Sequence, residues 1–462
     1  MRAALLLLAA TLAACSRTEP APAPPRLSFV VFLTDDQSRD MLGCAGNSYI
    51  RTPGMDRLAA QGVRFERAFV TTPVCAVSRA SLLTGQHMRR HGVVDFERPL
   101  SAQQWQETFP ALLRAAGYRT AYLGKYAIGW PERADPQLCL PAERFDLWYG
   151  FPQVVSYRQV VDGETVHLTT AIERKAEAFL RGLSPSEPFC LVVGFKEPHG
   201  PYDYFDPQVP ELYADTVVPP PVTMTPQALA ALPECVRASH GVSDAVRAWM
   251  EDPQDFHQVM RRAYRMVSRA DLAIERITDL LAELGLDQRT VVILTSDNGN
   301  LAGAHGLVGK WLMYEESIGV PLILVDPRLP ADLRGRTSPE LALNIDLAPT
   351  ILSMAGLPVP ARMQGLDLTP LLRERSARGR EDWYGEHLYT PGGENLEIPP
   401  SECVRTRRWK YIRYTGREPV VEQLFDLQAD PLETRDLAAE PEHAATLAQL
   451  RARCDELAAQ AR

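Results

Sequence analysis

Phe29-Val30-Val31-Phe32-Leu33-Thr34-Asp35-Asp36 is an apolar run that stops at two adjacent carboxylates. A run that is apolar at successive positions, rather than alternating, predicts a strand buried on both faces, as in a parallel sheet. Phe189 to Phe195, Val291 to Leu294 and Val320 to Val325 repeat the pattern, and the first two of these lead into Pro198-His199 and Asp297-Asn298. Helical patterns separate the runs: Met55 to Gln61, Thr108 to Ala116 closed by Gly117, Leu168 to Leu183, Asp255 to Leu284 closed by Gly285, and Asp346 to Ala355 closed by Gly356. Strand and helix alternate through about residue 370, which predicts a doubly wound α/β domain with a mostly parallel sheet and helices on both faces. Polar groups just beyond the carboxyl ends of such strands stand where open α/β sheets bind ligands.

With 462 residues, 45% of them hydrophobic, the chain can bury a large core. Its formal net charge of −9 argues against a nucleic-acid partner, because the far field repels polyanions. An anionic substrate must therefore be drawn in by local cations. Arg2 followed by the apolar run Ala3 to Ala14 is too short to span a bilayer and reads as a secretory signal over residues 1–14. Leu12-Ala13-Ala14-Cys15 is similar to a bacterial lipobox, which implies a lipidated Cys15, a Pro/Ala-rich tether over residues 15–26, and an exported lipoprotein on the periplasmic side or in the outer membrane. The only membrane contact expected is this anchor. The remaining cysteines, Cys44, Cys139, Cys190, Cys235, Cys403 and Cys454, show no metal-ligand spacing, and export leaves their pairing open. Cys190, inside an apolar run, reads as a buried core thiol.

Ala214 to Val246 is Pro-rich and reads as an insertion able to shape a substrate mouth. The domain expected over residues 27–371 gives way at the charged stretch Leu372 to Glu381 to a carboxy-terminal unit over 372–462. That unit carries two β-like stretches, Arg408 to Tyr414 and Val420 to Leu427, and a helical tail from Pro441.

Cys75-Ala76-Val77-Ser78-Arg79-Ala80-Ser81-Leu82-Leu83-Thr84-Gly85 places a thiol and a guanidinium one turn apart at a predicted helix start. Unpaired backbone N–H groups and the positive end of the dipole there favour a tetrahedral oxyanion. Taken with Asp35-Asp36, Gly117-Tyr118-Arg119-Thr120, Gly124-Lys125, Pro198-His199, Ser296-Asp297-Asn298-Gly299, His305-Gly306-Leu307 and Lys310, in that order along the chain, the sequence resembles the type I sulfatases of the alkaline-phosphatase superfamily. Leu424-Phe425-Asp426-Leu427 and Asp430-Pro431-Leu432-Glu433 resemble their small carboxy-terminal subdomain.

The resemblance implies hydrolysis of a sulfate ester, most naturally on a carbohydrate. Cys75 would be oxidised to formylglycine by a formylglycine-generating enzyme, and its hydrate would ligate the metal and attack sulfur. Asp35, Asp36, Asp297 and Asn298 would join residue 75 around one Ca²⁺, since oxygen ligands suit a hard cation better than Zn²⁺. Arg79 would stabilise the hydrate and the carboxylates, Lys125 and Lys310 would bind sulfate, His199 would assist at the leaving oxygen, and His305 would join them as a substrate contact. Singly, Asp35-Asp36 would suit a turn or cap, the lysines a surface and His199 a loop. His87 and His91, flanked by Gly85 and Gly92, read as wall residues, and Trp311 and Tyr314 as packing.

Three positions depart from the family pattern: Val77 replaces the proline of Cys-x-Pro-x-Arg, Ala127 stands where a histidine is frequent, and Gly319 where an arginine is common. They keep two alternatives open. One is a phosphomonoester, phosphodiester or phosphonate hydrolase of the same superfamily; the other is a non-catalytic lipoprotein that binds sulfated glycans.

Overall fold

The computed structural model describes residues 26–153, 155–184, 186–202, 206–209, 211–388 and 398–462. The expected signal and all but the last residue of the tether lie outside these. The opening apolar run forms β1 (Ser28–Asp35), buried at every position. Its side chains alternate between two cores, Phe29, Val31 and Leu33 on one face and Val30 and Phe32 on the other. Each such side chain withdrawn from water contributes roughly 1.5–3 kcal/mol, so both faces hold the strand in register.

Further strands are β2 (Val63–Phe69), β3 (Arg119–Lys125), β4 (Leu147–Phe151), β5 (Arg158–Val161), β6 (Glu164–His167), β7 (Phe189–Pro198), β8 (Thr290–Ser296), β9 (Leu322–Val325) and β10 (Arg336–Leu343). Eight of them form one sheet in the order β10-β2-β9-β8-β1-β7-β3-β4, with β5 and β6 paired separately. Helices Pro53–Gln61, Leu168–Arg181 and Gln254–Glu283 bury their apolar sides against one face, and Cys75–Thr84, Phe109–Ala115 and Leu347–Met354 against the other. The expected doubly wound, mostly parallel sheet is present. One strand differs from expectation: β9, placed by its apolar run among the parallel strands, runs antiparallel to both β2 and β8. Four apolar residues read the same in either direction.

A second, four-stranded antiparallel sheet is built from β11 (Asp382–His387), β12 (Ser401–Thr406), β13 (Trp409–Tyr414) and β14 (Val421–Asp426). One face, with Tyr384, Val404, Tyr411 and Leu424, takes the helix Ala444–Gln460 through Leu450 and Cys454. The other, with Trp383, Cys403, Ile412 and Phe425, packs on Phe69 of β2 and Leu341 of the edge strand β10. Two of these four strands, β11 and β12, go beyond the expected pair. The Pro-rich insertion contains the short helices Pro226–Ala231 and Glu234–Arg237. All seven described cysteines are free thiols.

Candidate active site at the carboxyl edge of the sheet

Parallel pairing of β1 with both β7 and β8 sets Thr34 opposite Ser296 and Asp35 opposite Pro198, so three chain segments leave the sheet at one edge. Pairing of β3 with β7 brings Lys125 to the same edge. Asp36 takes φ 67°, a left-handed conformation that aspartate tolerates better than most side chains, and its N–H donates to Asp297 Oδ1 at 3.3 Å. The adjacent carboxylates are thereby turned into one cleft and tied across to β8.

The helix Cys75–Thr84 starts at this edge with no side-chain cap and is buried at every residue. Its free N-terminal N–H groups and dipole face the carboxylates and whatever anion enters. Ligand atoms of Asp35, Asp36, Cys75 and His199 lie within 4.8 Å of one another. Lys310 Nζ donates to Cys75 Sγ at 2.7 Å and to Asp36 Oδ1. Lys125 Nζ donates to Asp35 Oδ2, and Arg79 Nε to Asp297 Oδ2 at 2.8 Å. Arg79 also donates to the Lys125 carbonyl, which accepts from Tyr122 Oη at 2.8 Å. This approach needs Gly194: a Cβ there would lie 2.4 Å from the Lys125 oxygen and 3.0 Å from Arg79 Nη1.

Three carboxylates thus face three side-chain cations, all buried. Burial opposes ionisation of Asp35, but Lys125, His199, Lys310 and Arg79 outweigh it and hold the carboxyl well below its ordinary range. Asp36 is lowered for the same reason, with Lys310 the main partner against burial. Asp297 goes the other way: burial, helped by the charge of Asp35, raises it to about 6 against the pull of Arg79. Burial also pushes the Cys75 thiol up to about 12 in spite of Lys125 and Lys310. Asn298 Nδ2 donates to Asp36 Oδ1 at 2.6 Å, and its Oδ1 is buried without a hydrogen-bond partner, as is Asp35 Oδ1. Two orphaned oxygens among carboxylates fit a hard cation.

His199 stands at the rim, its side chain 37% exposed and Nε2 3.8 Å from Asp36 Oδ2. Its Nδ1 donates to the Gly200 carbonyl at 2.7 Å, and its own carbonyl accepts from Tyr157 Oη at 2.8 Å, so both ring and backbone are held. Sequence reasoning misses Tyr122 and Tyr157; Tyr122 lies in a strand buried from Thr120 to Lys125, but nothing local marks its hydroxyl as a support.

His305 is not brought to this edge. It is buried with Nε2 3.5 Å from Glu316 and its ring 4.6 Å from that of Tyr314, in a second charged cluster. There Lys410 Nζ lies 3.2 Å from Glu315 Oε1 and 2.7 Å from Glu433 Oε1, and Arg39 and Arg405 also pair with Glu315. The cation of that cluster is already supplied by the protein. Gly319 adjoins it: a Cβ there would come within 2.6 Å of the Glu315 carbonyl and 2.9 Å of Arg39 Nε. The guanidinium of Arg39 therefore fills the space beside Gly319, which accounts for that departure. His91 bonds Ser81 Oγ at 2.9 Å and accepts from Val93 N–H at 3.1 Å, buried at the end of a short helix, Met88–His91, rather than in a loop, and Tyr314 is fully buried.

The sulfatase family model matches residues 28–357, and a model described as N-sulphoglucosamine sulphohydrolase, C-terminal, matches residues 303–460. An N-acetylglucosamine-6-O-sulfatase of Bacteroides thetaiotaomicron is 27% identical, over 95% of this chain and 87% of its own length. A structure solved in complex with its substrate D-glucosamine-2-N,6-O-disulfate superposes with a TM-score of 0.80 at 25% identity, covering 94% of this chain and 98% of the other. The phosphonate monoester hydrolase of Agrobacterium radiobacter shares the fold, with a TM-score of 0.78 at 23% identity over 95% of this chain and 96% of the other.

Proposed function

The chain belongs to the sulfatase family, and we propose that it hydrolyses the sulfate ester of a sulfated carbohydrate with a formylglycine made from Cys75 and one Ca²⁺. The observation that carries this reading is the convergence of Asp35, Asp36, Cys75 and His199 within 4.8 Å at an uncapped helix start flanked by Lys125 and Lys310. The sugar-sulfatase relatives support the carbohydrate.

Asp35, Asp36, Asp297 and Asn298 are the residues that would hold the ion, and the orphaned Asp35 Oδ1 and Asn298 Oδ1 support that set. When bound, it supplies positive charge to the sulfate oxygens and to the residue 75 nucleophile. Burial raises the Cys75 thiol in spite of Lys125 and Lys310, which disfavours a thiolate nucleophile. A formylglycine at residue 75, once hydrated, would offer one hydroxyl for attack and one for release. With three carboxylates balanced by three side-chain cations, a divalent ion leaves the site net positive for a sulfate monoanion.

Lys125 and Lys310 orient the sulfate oxygens. Arg79, fixed by Asp297 and the Lys125 carbonyl, holds the helix start against β3 and β8. His199 delivers the leaving-group proton from Nε2, since Nδ1 is committed to Gly200; burial lowers the imidazole below its ordinary value, opposed by the charges of Asp35 and Asp36, which favour the imidazolium this requires. Leu12-Ala13-Ala14-Cys15 supports export as a lipoprotein.

The phosphonate monoester hydrolase neighbour favours a second reading, a phosphorus ester hydrolase using the same cleft. Steady-state rates on 4-nitrophenyl sulfate and 4-nitrophenyl phosphate separate the two. The sulfatase reading expects kcat/KM for the sulfate to exceed that for the phosphate, and the reverse order would overturn it.

A further inference from the structure

A cavity of about 310 Å³ opens directly beside Asp36 and Pro198. Its walls are apolar and come from four separate segments: Met41, Tyr202, Trp249, and Val259, Met260 and Ala263 of the long helix. The rim is completed by Ser243 and Ala245, at the end of the Pro-rich insertion and just beyond its helices. Trp249 is braced edge-on by Phe256 at 5.7 Å between ring centres, so the indole is a fixed wall.

No Lys, Arg or His is among the described residues that line this cavity, and its one charged group is Asp36. A second compartment, of about 260 Å³, shares Met41, Met260, Asn300 and Ala302 with it and again has no basic lining residue; its charged groups are Asp40 and Glu316. Lys125, Lys310 and Arg79, meanwhile, are engaged with carboxylates in the cleft where sulfate would sit. Among the described residues, the lining of neither cavity offers a cation to a second anionic group.

Resting on the sulfatase reading above, we propose that this cavity is the leaving-group subsite and that it selects a single ring with an apolar face, bearing one sulfate and no second anionic group. The volume sits at the low end of the roughly 300–1,000 Å³ of small-molecule sites, which suits one ring rather than an oligosaccharide. Sugar and aryl rings both have faces that stack on a braced indole. A second sulfate on the ring would be stripped of water among Met, Val and Ala side chains, with only carboxylates for polar company.

The test uses the full chain with residue 75 shown by mass spectrometry to be formylglycine. kcat/KM is measured for 4-nitrophenyl sulfate, N-acetylglucosamine 6-sulfate and D-glucosamine-2-N,6-O-disulfate. The expected result is at least about tenfold higher kcat/KM for both monosulfate esters than for the disulfate. A preference for the disulfate overturns the proposal while leaving the sulfatase reading intact. Inactivity on all three removes that reading and the proposal together. Two variants locate the effect. Trp249→Ala should raise KM for 4-nitrophenyl sulfate about tenfold with little change in kcat and none in inhibition by inorganic sulfate. Ala245→Lys, which puts an ammonium on the rim, should raise kcat/KM for the disulfate several-fold. If both variants leave the three-substrate ratio unchanged, the cavity is not the subsite.

Discussion

Two of the buried clusters of charge among the described residues, one around Lys410 and one at the sheet edge, are built differently. Around Lys410 the charges close on themselves: Glu315 meets Lys410, Arg39 and Arg405, and Glu433 meets Lys410 and the Glu315 N–H at 2.8 Å. Burial would raise the Glu315 carboxyl, yet Lys410, Arg405 and Arg39 hold it far below its ordinary range, so the group is ionised and satisfied. At the sheet edge the carboxylates are also paired, but Asp35 Oδ1 and Asn298 Oδ1 have no hydrogen-bond partner and the helix start has no cap. The Lys410 cluster joins the carboxy-terminal sheet to the main body, and the oxygens it leaves without a hydrogen-bond partner, Glu433 Oε1 and Glu316 Oε2, still face Lys410 at 2.7 Å and His305 at 3.5 Å. The edge cluster adds to its orphaned oxygens an uncapped helix start whose N–H groups face the same cleft, and this combination makes it the candidate site.

The contrast is broken most severely through the closed cluster. Lys410→Met strands the buried Glu433 carboxylate, while Glu315 keeps Arg39 and Arg405, and should cost about 3–5 kcal/mol of stability, read from denaturant unfolding, while kcat per folded molecule stays close to wild type. Loss of turnover without loss of stability would put Lys410 in the wrong class. In the edge cluster the expected pattern is reversed: Lys125→Met should lower kcat by about 10²–10³ with a smaller change in melting temperature. A third effect sharpens the metal assignment. Ca²⁺ at about 100-fold over its Kd should stabilise metal-free protein by about 2.7 kcal/mol, and Asp36→Asn should remove most of that gain; equal melting with Ca²⁺ and with chelator would contradict it.

The smallest effect concerns pH. Burial lowers the His91 imidazole from 6.5 to about 3, with the neighbouring charge of His87 adding to it. The unfolded chain therefore takes up a proton that the folded chain refuses, and stability falls as pH drops from 6.5 toward about 3. Because His91 is buried, the slope it adds approaches about 1.4 kcal/mol per pH unit. His91→Gln should flatten the decline below pH 6, and an unchanged slope would show that His91 does not carry it.

Much of this was legible in the sequence because burial on both faces leaves runs with no polar alternation, and β1, β7 and β8 could be read with their terminal carboxylates, histidine and asparagine. The direction of β9 was not, since an apolar run of four carries no polarity. His305 and Lys310 are five residues apart and read as one loop facing one site. His305 itself has positive φ, and positive φ at Gly306 and Gly309 turns the chain twice more before Lys310, so the two side chains end in different clusters. β11 escaped notice because Trp383-Tyr384 sit within a charged stretch, their partners on β12 being supplied only by the fold. The apolar cavity is assembled from Met41, Tyr202, Trp249 and Met260, which lie far apart in sequence and share no periodic pattern.

The central claim is that the edge cluster works through an oxidised Cys75. Its most direct test is the rate on 4-nitrophenyl sulfate as a function of the fraction of residue 75 found as formylglycine by peptide mass spectrometry, with Val77→Pro used to raise that fraction and Cys75→Ala as the zero point. The account predicts a rate proportional to the oxidised fraction and a fall of about 10⁴–10⁶ at zero. Turnover by verified, unmodified Cys75 protein at the rate of the aldehyde form would contradict it.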